Sequence, residues 1–513
     1  MMKPASRAGF ALAVLFAINT MNFFDRQILG AITEPIRKEW GLSDGAMGAL
    51  GTAFTLLYAV VGVPLGRLTD KTVRTRILSA GVLVWSILTF TSGLARNFWQ
   101  LFVMRLGVGV GEATCAPAAT SLIGDFFPTS KRAKAVSVFM MGLPVGIALS
   151  YAVSGVVAHR WGWRSAFFVA GVPGLICTVA ALFIHEPKRG ASEAHAIGGL
   201  RREGHQSRLV QWVLYIFVGG IAVLLGYELL AQFVSRTWAG IAASIMAILY
   251  VWKTQSILNW LRPYVLVLSI PTMWWLIASG ALQNFNMYAI GSFLSPFLMR
   301  FHGVDIQEAG QISMVANGLS GIPGLIIGGI AGDAIMRRRI DGRLLVGALS
   351  IFASVPLVYF ALGRSRGDIT GFMILMSLGI GVMYAYYSTV YSTLQDIIEP
   401  ASRGTAMALY FFAMYVLGAS LGPLGTGLAS DYFTQQAAVA EGVTEFTREA
   451  LEPFRATGLR SAMYVIPVLG ALLTLVLFAG SRTVKKDMDN LHDWMRDATE
   501  KPAVATASVD TRK

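Results

Sequence analysis

The sequence predicts an all-α membrane protein that crosses the bilayer many times. Three observations carry this. The 513-residue chain is 55% hydrophobic and only 14% charged, where soluble domains carry about 25% charge, and its mean hydropathy is +0.58. Its apolar residues gather into runs near the ~20 residues that span a hydrocarbon core. Between the runs lie short loops rich in Lys and Arg. Helix is the only open element that satisfies its own backbone in lipid, so each run is read as a helix. An ordinary soluble enzyme, a disordered chain and a disulfide scaffold are thereby excluded. The formal net charge of +13 does not point to nucleic acid, because basic loop residues set membrane orientation. Cys115 and Cys177 both fall inside apolar runs, which implies neither a disulfide framework nor a metal site.

Taken in order, the first spans fall at 8–29, 46–65, 77–95, 98–122, 134–157 and 165–185. The first has a basic start at Lys3 and Arg7 but no small-residue cleavage site, and it carries Asp25 and Arg26. It is read as a retained helix rather than a signal peptide. A polar, basic stretch follows at 186–208, then two apolar runs near 210–232 and 237–252. These two form an in-and-out pair, since otherwise Arg337, Arg338 and Arg339 would fall on the wrong side. A second set of spans lies near 265–297, 306–330, 343–362, 369–393, 404–430 and 460–480. The tail from 481 is polar with mixed charge and is expected to be disordered. The Lys and Arg asymmetry puts both termini in the cytoplasm.

The chain repeats itself. Gly66-Arg67-Leu68-Thr69-Asp70 is followed by Arg74 and Arg76, and Gly329-Ile330-Ala331-Gly332-Asp333 by Arg337 and Arg339. Asp125 with Arg132 and Asp396 with Arg403 recur at nearly the same offset. The sequence therefore divides into a six-helix bundle at 1–190, a linker with an extra helix pair at 191–262, a second six-helix bundle at 263–485, and a polar cytoplasmic tail at 486–513. Two parallel halves, 6+6, are a transporter architecture. Both are complete without the extra pair.

These motifs resemble the major facilitator superfamily. Gly66–Arg76 is similar to that family's loop between helices two and three. Arg105 with Gly109 and Gly111 resembles its fourth-helix arginine motif, and Trp161–Phe167 its entry to helix six. A narrower likeness is to spinster transporters, the lysolipid and sphingosine-phosphate carriers. It rests on Asn22-Phe23-Phe24-Asp25-Arg26, Gly109-Val110-Gly111-Glu112-Ala113 and Asn284-Phe285-Asn286-Met287-Tyr288.

Charged groups at membrane depth are costly and usually face a cavity and a partner. Asp25 and Arg26 lie in the first span, and Asn19, Asn22 and Arg26 share one helical stripe. Arg105 and Glu112 share a face of the fourth span. The resemblance implies that helices one and four line the cavity, so Arg26 and Glu112 are expected to pair across it. There the cation would hold an anionic headgroup and a carboxylate, Asp25 or Glu112, would carry a proton. A static salt bridge is the plain alternative. The second half offers neutral groups instead: Asn284, Asn286 and Tyr288 are expected to complete the binding site. The resemblance implies that Gly66, Asp70, Arg74 and Arg76, with Asp333 and Arg337, latch the halves as gate residues.

The glycines at 107, 109 and 111 lie in an apolar helix without a preceding strand, so they are no dinucleotide loop. No Walker motif is present, which removes ATP as the energy source. His302 is expected in an outside loop, solvated. No paired nucleophile and base is visible, so an enzyme is not expected. The expectation is a monomeric secondary transporter in a bacterial inner membrane. It moves an amphiphilic, anionic lipid-like substrate by alternating access coupled to protons, touches membrane lipids, and needs no cofactor. A multidrug or organic-anion carrier of the same fold is the alternative.

Overall fold

The computed structural model describes residues 4–127, 129–187, 215, 242–247, 250–251, 258, 264–399 and 402–510. The expected helix pair at 210–252 lies, apart from the few positions just named, outside the described residues. Within it the Tyr215 and Tyr250 rings stack at 4.6 Å. Each hydroxyl donates to the other's carbonyl, at 3.1 and 2.7 Å.

Among the described residues there is helix and no strand. Helix α1 spans Pro4–Trp40 and stops at Gly41, whose φ of 64° suits a residue without Cβ. Helix α2, Asp44–Lys71, starts where the Ser43 hydroxyl accepts from the Ala46 amide at 3.1 Å. Helix α3 covers Arg74–Ser92. Helix α4, Phe98–Glu112, is capped by Asn97, and a two-residue break separates it from α5, Cys115–Phe126. Then come α6, Thr129–Met140, α7, Gly142–Trp161, and α8, Trp163–Leu182.

The later part of the chain opens with α9, Pro271–Phe297, which runs into a π-helical turn at Leu298–His302. Helix α10, Ile306–Ser313, passes through a second π turn, Met314–Leu319, into α11, Gly321–Met336. Helices α12, Gly342–Leu362, and α13, Ile369–Asp396, follow. Helix α14, Arg403–Ala413, passes through a third π turn, Met414–Ala419, into α15, Leu421–Ala440. Short α16, Arg448–Leu451, and α17, Arg455–Met463, lead to the long α18, Val465–Asp510.

Eleven helices among the described residues are long and apolar enough to cross a membrane. Helix α9 has the length, but Gln283, Asn284 and Asn286 dilute its hydropathy. Large apolar side chains such as Trp99, Ile176, Ile327 and Val468 stand exposed, as lipid-facing residues do. By contact the chain groups into two units. One comprises Met1–Ala196, Ala278–Val390 and Phe411–Phe478; the other comprises Ile197–Ile277, Tyr391–Tyr410 and Ala479–Lys513. In the first unit Leu15, Ile18, Phe54, Val82, Trp85 and Leu122 share one buried cluster. Ile28, Ile32, Leu50, Leu101 and Phe167 share another. In the second, the buried Asp487 accepts the Thr272 amide and hydroxyl at 2.9 and 2.6 Å, which caps the start of α9.

Two expectations are corrected. His302 is not a solvated loop residue: it is 8% exposed, because the π turn folds its ring against Phe297, Phe301 and Phe372, with centroids 5.0–5.5 Å away. The tail is not disordered from 481: α18 continues to Asp510. Val484, Met488 and Leu491 prolong its apolar stripe at helical spacing and are buried.

Candidate functional site

All the contacts in this section lie within the first unit. Three consecutive residues of α1 meet three different environments. Asp25 is 2% exposed. Its Oδ1 accepts from Arg105 Nη1 at 2.9 Å, its Oδ2 accepts from the Thr89 hydroxyl, and its carbonyl accepts from Arg105 Nη2 at 3.2 Å. Both carboxylate oxygens are thus used, and α1, α3 and α4 are tied together.

Arg26 turns the other way. Its Nε donates to Glu112 Oε2 at 2.8 Å and its Nη1 to the Tyr415 hydroxyl at 2.9 Å. The guanidinium sits over the rings of Phe23, Phe54, Tyr58 and Tyr415, 4.3–5.7 Å from their centroids. Tyr58 and Tyr415 meet edge to face at 5.0 Å, and Tyr288 lies 6.3 Å from Tyr415. An enclosure of π faces holds a cation without neutralising it. Glu112 is fully buried, and among the described residues its second oxygen, Oε1, has no hydrogen-bond partner. The arrangement offers a cation with further N–H donors and a carboxylate with a vacant acceptor, both out of water.

Gln27 makes the third environment. Its Nε2 donates to the Tyr151 hydroxyl and the Gly291 carbonyl, at 2.8 and 2.7 Å. Tyr151 donates to the same carbonyl at 2.7 Å, Asn317 Nδ2 donates to Tyr151 at 3.3 Å, and Tyr384 donates to the Asn317 carbonyl at 3.2 Å. The helices come close enough here that a Cβ on Gly30 would strike the Gly291 carbonyl.

The other expected ligands are dispersed. Asn284 donates to its own helix at Gly280. Asn286 is fully buried, and among the described residues neither its amide atoms nor Asn22 Nδ2 has a hydrogen-bond partner. Tyr288 alone of the later group reaches the Arg26 enclosure.

A charged network closes the end of the unit where α1 finishes. Arg300 donates to Glu34 at 2.6 Å and, with both terminal nitrogens, to Asp44 at 2.7 and 2.8 Å. Arg37 donates to Glu34 at 2.8 Å and to Glu452 at 2.6 Å. Asp431 accepts from the Asp44 and Gly45 amides at 3.0 and 2.7 Å, which sets a carboxylate on the N-terminus of α2. Arg455 reaches Asp431 at 3.3 Å. Every arginine here meets a carboxylate from the other part of the sequence, Arg455 through Asp44 at 4.0 Å.

At the opposite end Arg74 is 1% exposed. It bonds Asp125, Glu186 at 2.7 Å and the Ser121 hydroxyl at 2.8 Å. Glu186 also accepts the Thr75 amide at 3.0 Å, at the start of α3. Burial alone would raise the Glu186 carboxyl. The hydrogen bonds from Arg74 and Thr75 outweigh it and hold the group below the usual carboxylate range. Asp333 pairs with Arg343 at 2.6 Å, whereas Arg76 and Arg337 are exposed. The side chains at Gly66 and Asp70 lie outside the described residues.

Sequence reasoning placed Tyr384 on the cavity wall but missed its partners Gln27, Tyr151 and Asn317, along with Phe54, Tyr58 and Tyr415 around Arg26 and the whole network around Arg300. The one available signal was charge at the edges of apolar runs: Glu34 and Arg37 are three apart, and Arg300 follows an otherwise uncharged helix.

The family model described as Major Facilitator Superfamily matches residues 15–423. An "MFS-type efflux pump" of Mycolicibacterium smegmatis is 25% identical over 83% of this chain and 86% of its own length. "Sphingosine-1-phosphate transporter SPNS2" of Danio rerio is 25% identical over 84% of this chain and 78% of its own. The crystal structure of a bacterial homologue of the human lysosomal transporter spinster, inward-facing and unoccupied, superposes with a TM-score of 0.74. That structure is 25% identical, with 95% of this chain and 99% of that one covered.

Proposed function

Because the chain belongs to the major facilitator superfamily, and is therefore a multi-pass membrane transporter and not an enzyme, we propose that it carries an amphiphilic, anionic lipid-like substrate, of the lysolipid or sphingoid-phosphate class, by proton-coupled alternating access. The observation that carries this is the Arg26–Glu112 pair in its ring of aromatic side chains. A phosphate headgroup competes for Arg26 with Glu112. Protonation of Glu112 at its open oxygen releases Arg26 to the substrate, and loss of that proton returns Arg26 to Glu112. Asp25, with both oxygens engaged, is the positioning partner of Arg105, and the proton role falls to Glu112. Tyr58, Tyr288 and Tyr415 accept the region next to the headgroup. The spinster likeness supports the lipid class.

With the N-terminus in the cytoplasm, the Arg300 network faces the outside and holds that side shut. Residues 1–190 and 263–485 are the bodies that part and close again. The membrane is then a bacterial inner membrane, and Gly66–Arg76 with Asp333 and Arg337 form the latch of the opposite state.

The experiment is uptake of labelled sphingosine 1-phosphate or lysophosphatidate into proteoliposomes, with and without a pH gradient. Wild type is expected to accumulate substrate with the gradient. Glu112→Gln is expected to bind substrate but lose pH dependence, Arg26→Ala to lose binding, and Arg26→Lys to recover part of it. Full pH dependence in Glu112→Gln overturns the proton role. The efflux-pump likeness favours a second reading, an organic-anion or multidrug carrier. Transport of hydrophobic drugs, uninhibited by either lipid, would select it.

A further inference from the structure

The three π turns of the described chain all lie in its later part, and each carries a side chain that crosses to the earlier part. Leu298–His302 carries Arg300, which reaches Glu34 and Asp44. Met314–Leu319 carries Asn317, which reaches Tyr151. Met414–Ala419 carries Tyr415, which receives Arg26. The second and third share a sequence: Met314-x-x-x-Gly318-x-Ser320 and Met414-x-x-x-Gly418-x-Ser420.

The shared residues have matching physical roles. Ser320 and Ser420 supply the wide i→i−5 backbone bonds, to Val315 and Tyr415 at 3.0 and 2.9 Å. Their hydroxyls also bond back into the turn, to Ala316 at 2.6 Å and Tyr415 at 2.9 Å. Gly318 and Gly418 leave room for close neighbours: a Cβ would press on Ala148 at the first and strike the Ala281 carbonyl at the second. A π turn holds one residue more than the α-helix around it. Moving it by a residue turns the side chain it passes by about 100° while the flanking helices stay in phase, and closing it at constant length turns the helix beyond it by the same angle.

We infer that the paired Met-x-x-x-Gly-x-Ser turns are register switches. They position Asn317 and Tyr415 toward the first helices in this state and must change for those contacts to release. This rests on the alternating-access reading above and names the elements that would execute it. Asn317 and Tyr415 are positioning residues here: the turn, more than the side chain alone, sets their reach.

The test removes the extra residue. Leu417 is 50% exposed, so its deletion closes the third turn into α-helix at little cost in packing. Leu417→Ala, which keeps the turn, is the control. Ser320→Ala and Ser420→Ala weaken each turn without changing chain length, and they decide the matter if the deletion does not fold. Spin labels at exposed Arg160 and Gln436, with Cys115 and Cys177 replaced by Ala, report the separation of the two parts by the Arg300 network. The deletion is expected to shift the distance distribution to longer values. Sphingosine 1-phosphate uptake is expected to fall at least tenfold in maximal rate in the deletion and three- to tenfold in the serine variants. Unaltered distances and pH profile in the deletion, or in both serine variants should the deletion not fold, overturn the inference. So does an equal loss in Leu417→Ala. If wild type moves no lipid, the transport reading fails while the distances still judge the turns.

Discussion

The two ends of the first unit use the same chemistry for opposite purposes. At one end Arg74 gathers Asp125, Glu186 and Ser121, all from the first 190 residues. At the other, Arg300 and Arg37 gather Glu34, Asp44 and Glu452, and each bridges distant parts of the sequence. A buried arginine among carboxylates is thus a rivet when its partners share its bundle and a clasp when they do not. The difference lies in topology and not in bond strength.

The largest effect that would break this comparison is Arg300→Ala. It removes the shared arginine from Glu34, which keeps Arg37, and from Asp44, which keeps Ser430; both are at most 1% exposed, and the loss should cost about 3–5 kcal/mol. The loss should appear both as a lower melting temperature and as longer Arg160–Gln436 label distances. Unchanged distances would mean that the network is a rivet as well. Arg74→Ala should cost less, about 1–3 kcal/mol, since Asp125 and Glu186 are partly exposed and water replaces some of the loss. Its label distances should stay as in wild type; a shift would make Arg74 part of the clasp. The smallest effect sharpens the rivet. Because the folded Glu186 carboxyl lies below its unfolded value near 4.3, its contribution is present above that value. It is lost as pH falls through the folded one. Glu186→Gln should therefore flatten the acid limb of stability below about pH 4.3, measured as melting temperature against pH. An acid limb as steep as wild type would assign that limb to other carboxylates.

Much of the fold was legible because lipid imposes a coarse rule, that apolar runs become helices. Asp25, Arg26, Arg105 and Glu112 were legible for the same reason, since a charge inside an apolar run is rare enough to stand out. Tyr58 and Tyr415 were not, because tyrosines are common in such runs and no local pattern marks which one meets a cation. The Arg300 network was hidden by distance along the chain: Arg37 and Glu452 are 415 residues apart, and no spacing rule reaches that far. His302 misled because it sits among loop-like residues, yet its neighbours Phe297 and Phe301 pull it inward.

Phe54 has one ring and two guanidinium neighbours, Arg26 at 5.4 Å and Arg105 at 5.3 Å. The consequence concerns how this protein is able to diverge. An aliphatic residue of similar volume fills the space but offers no negative face, so Arg26 and Arg105 would each lose a cation–π contact at once. The position therefore admits few letters of the amino-acid alphabet, fewer than its plain hydrophobic character suggests. Drift at either arginine is tied to it, and the triplet should change together or not at all.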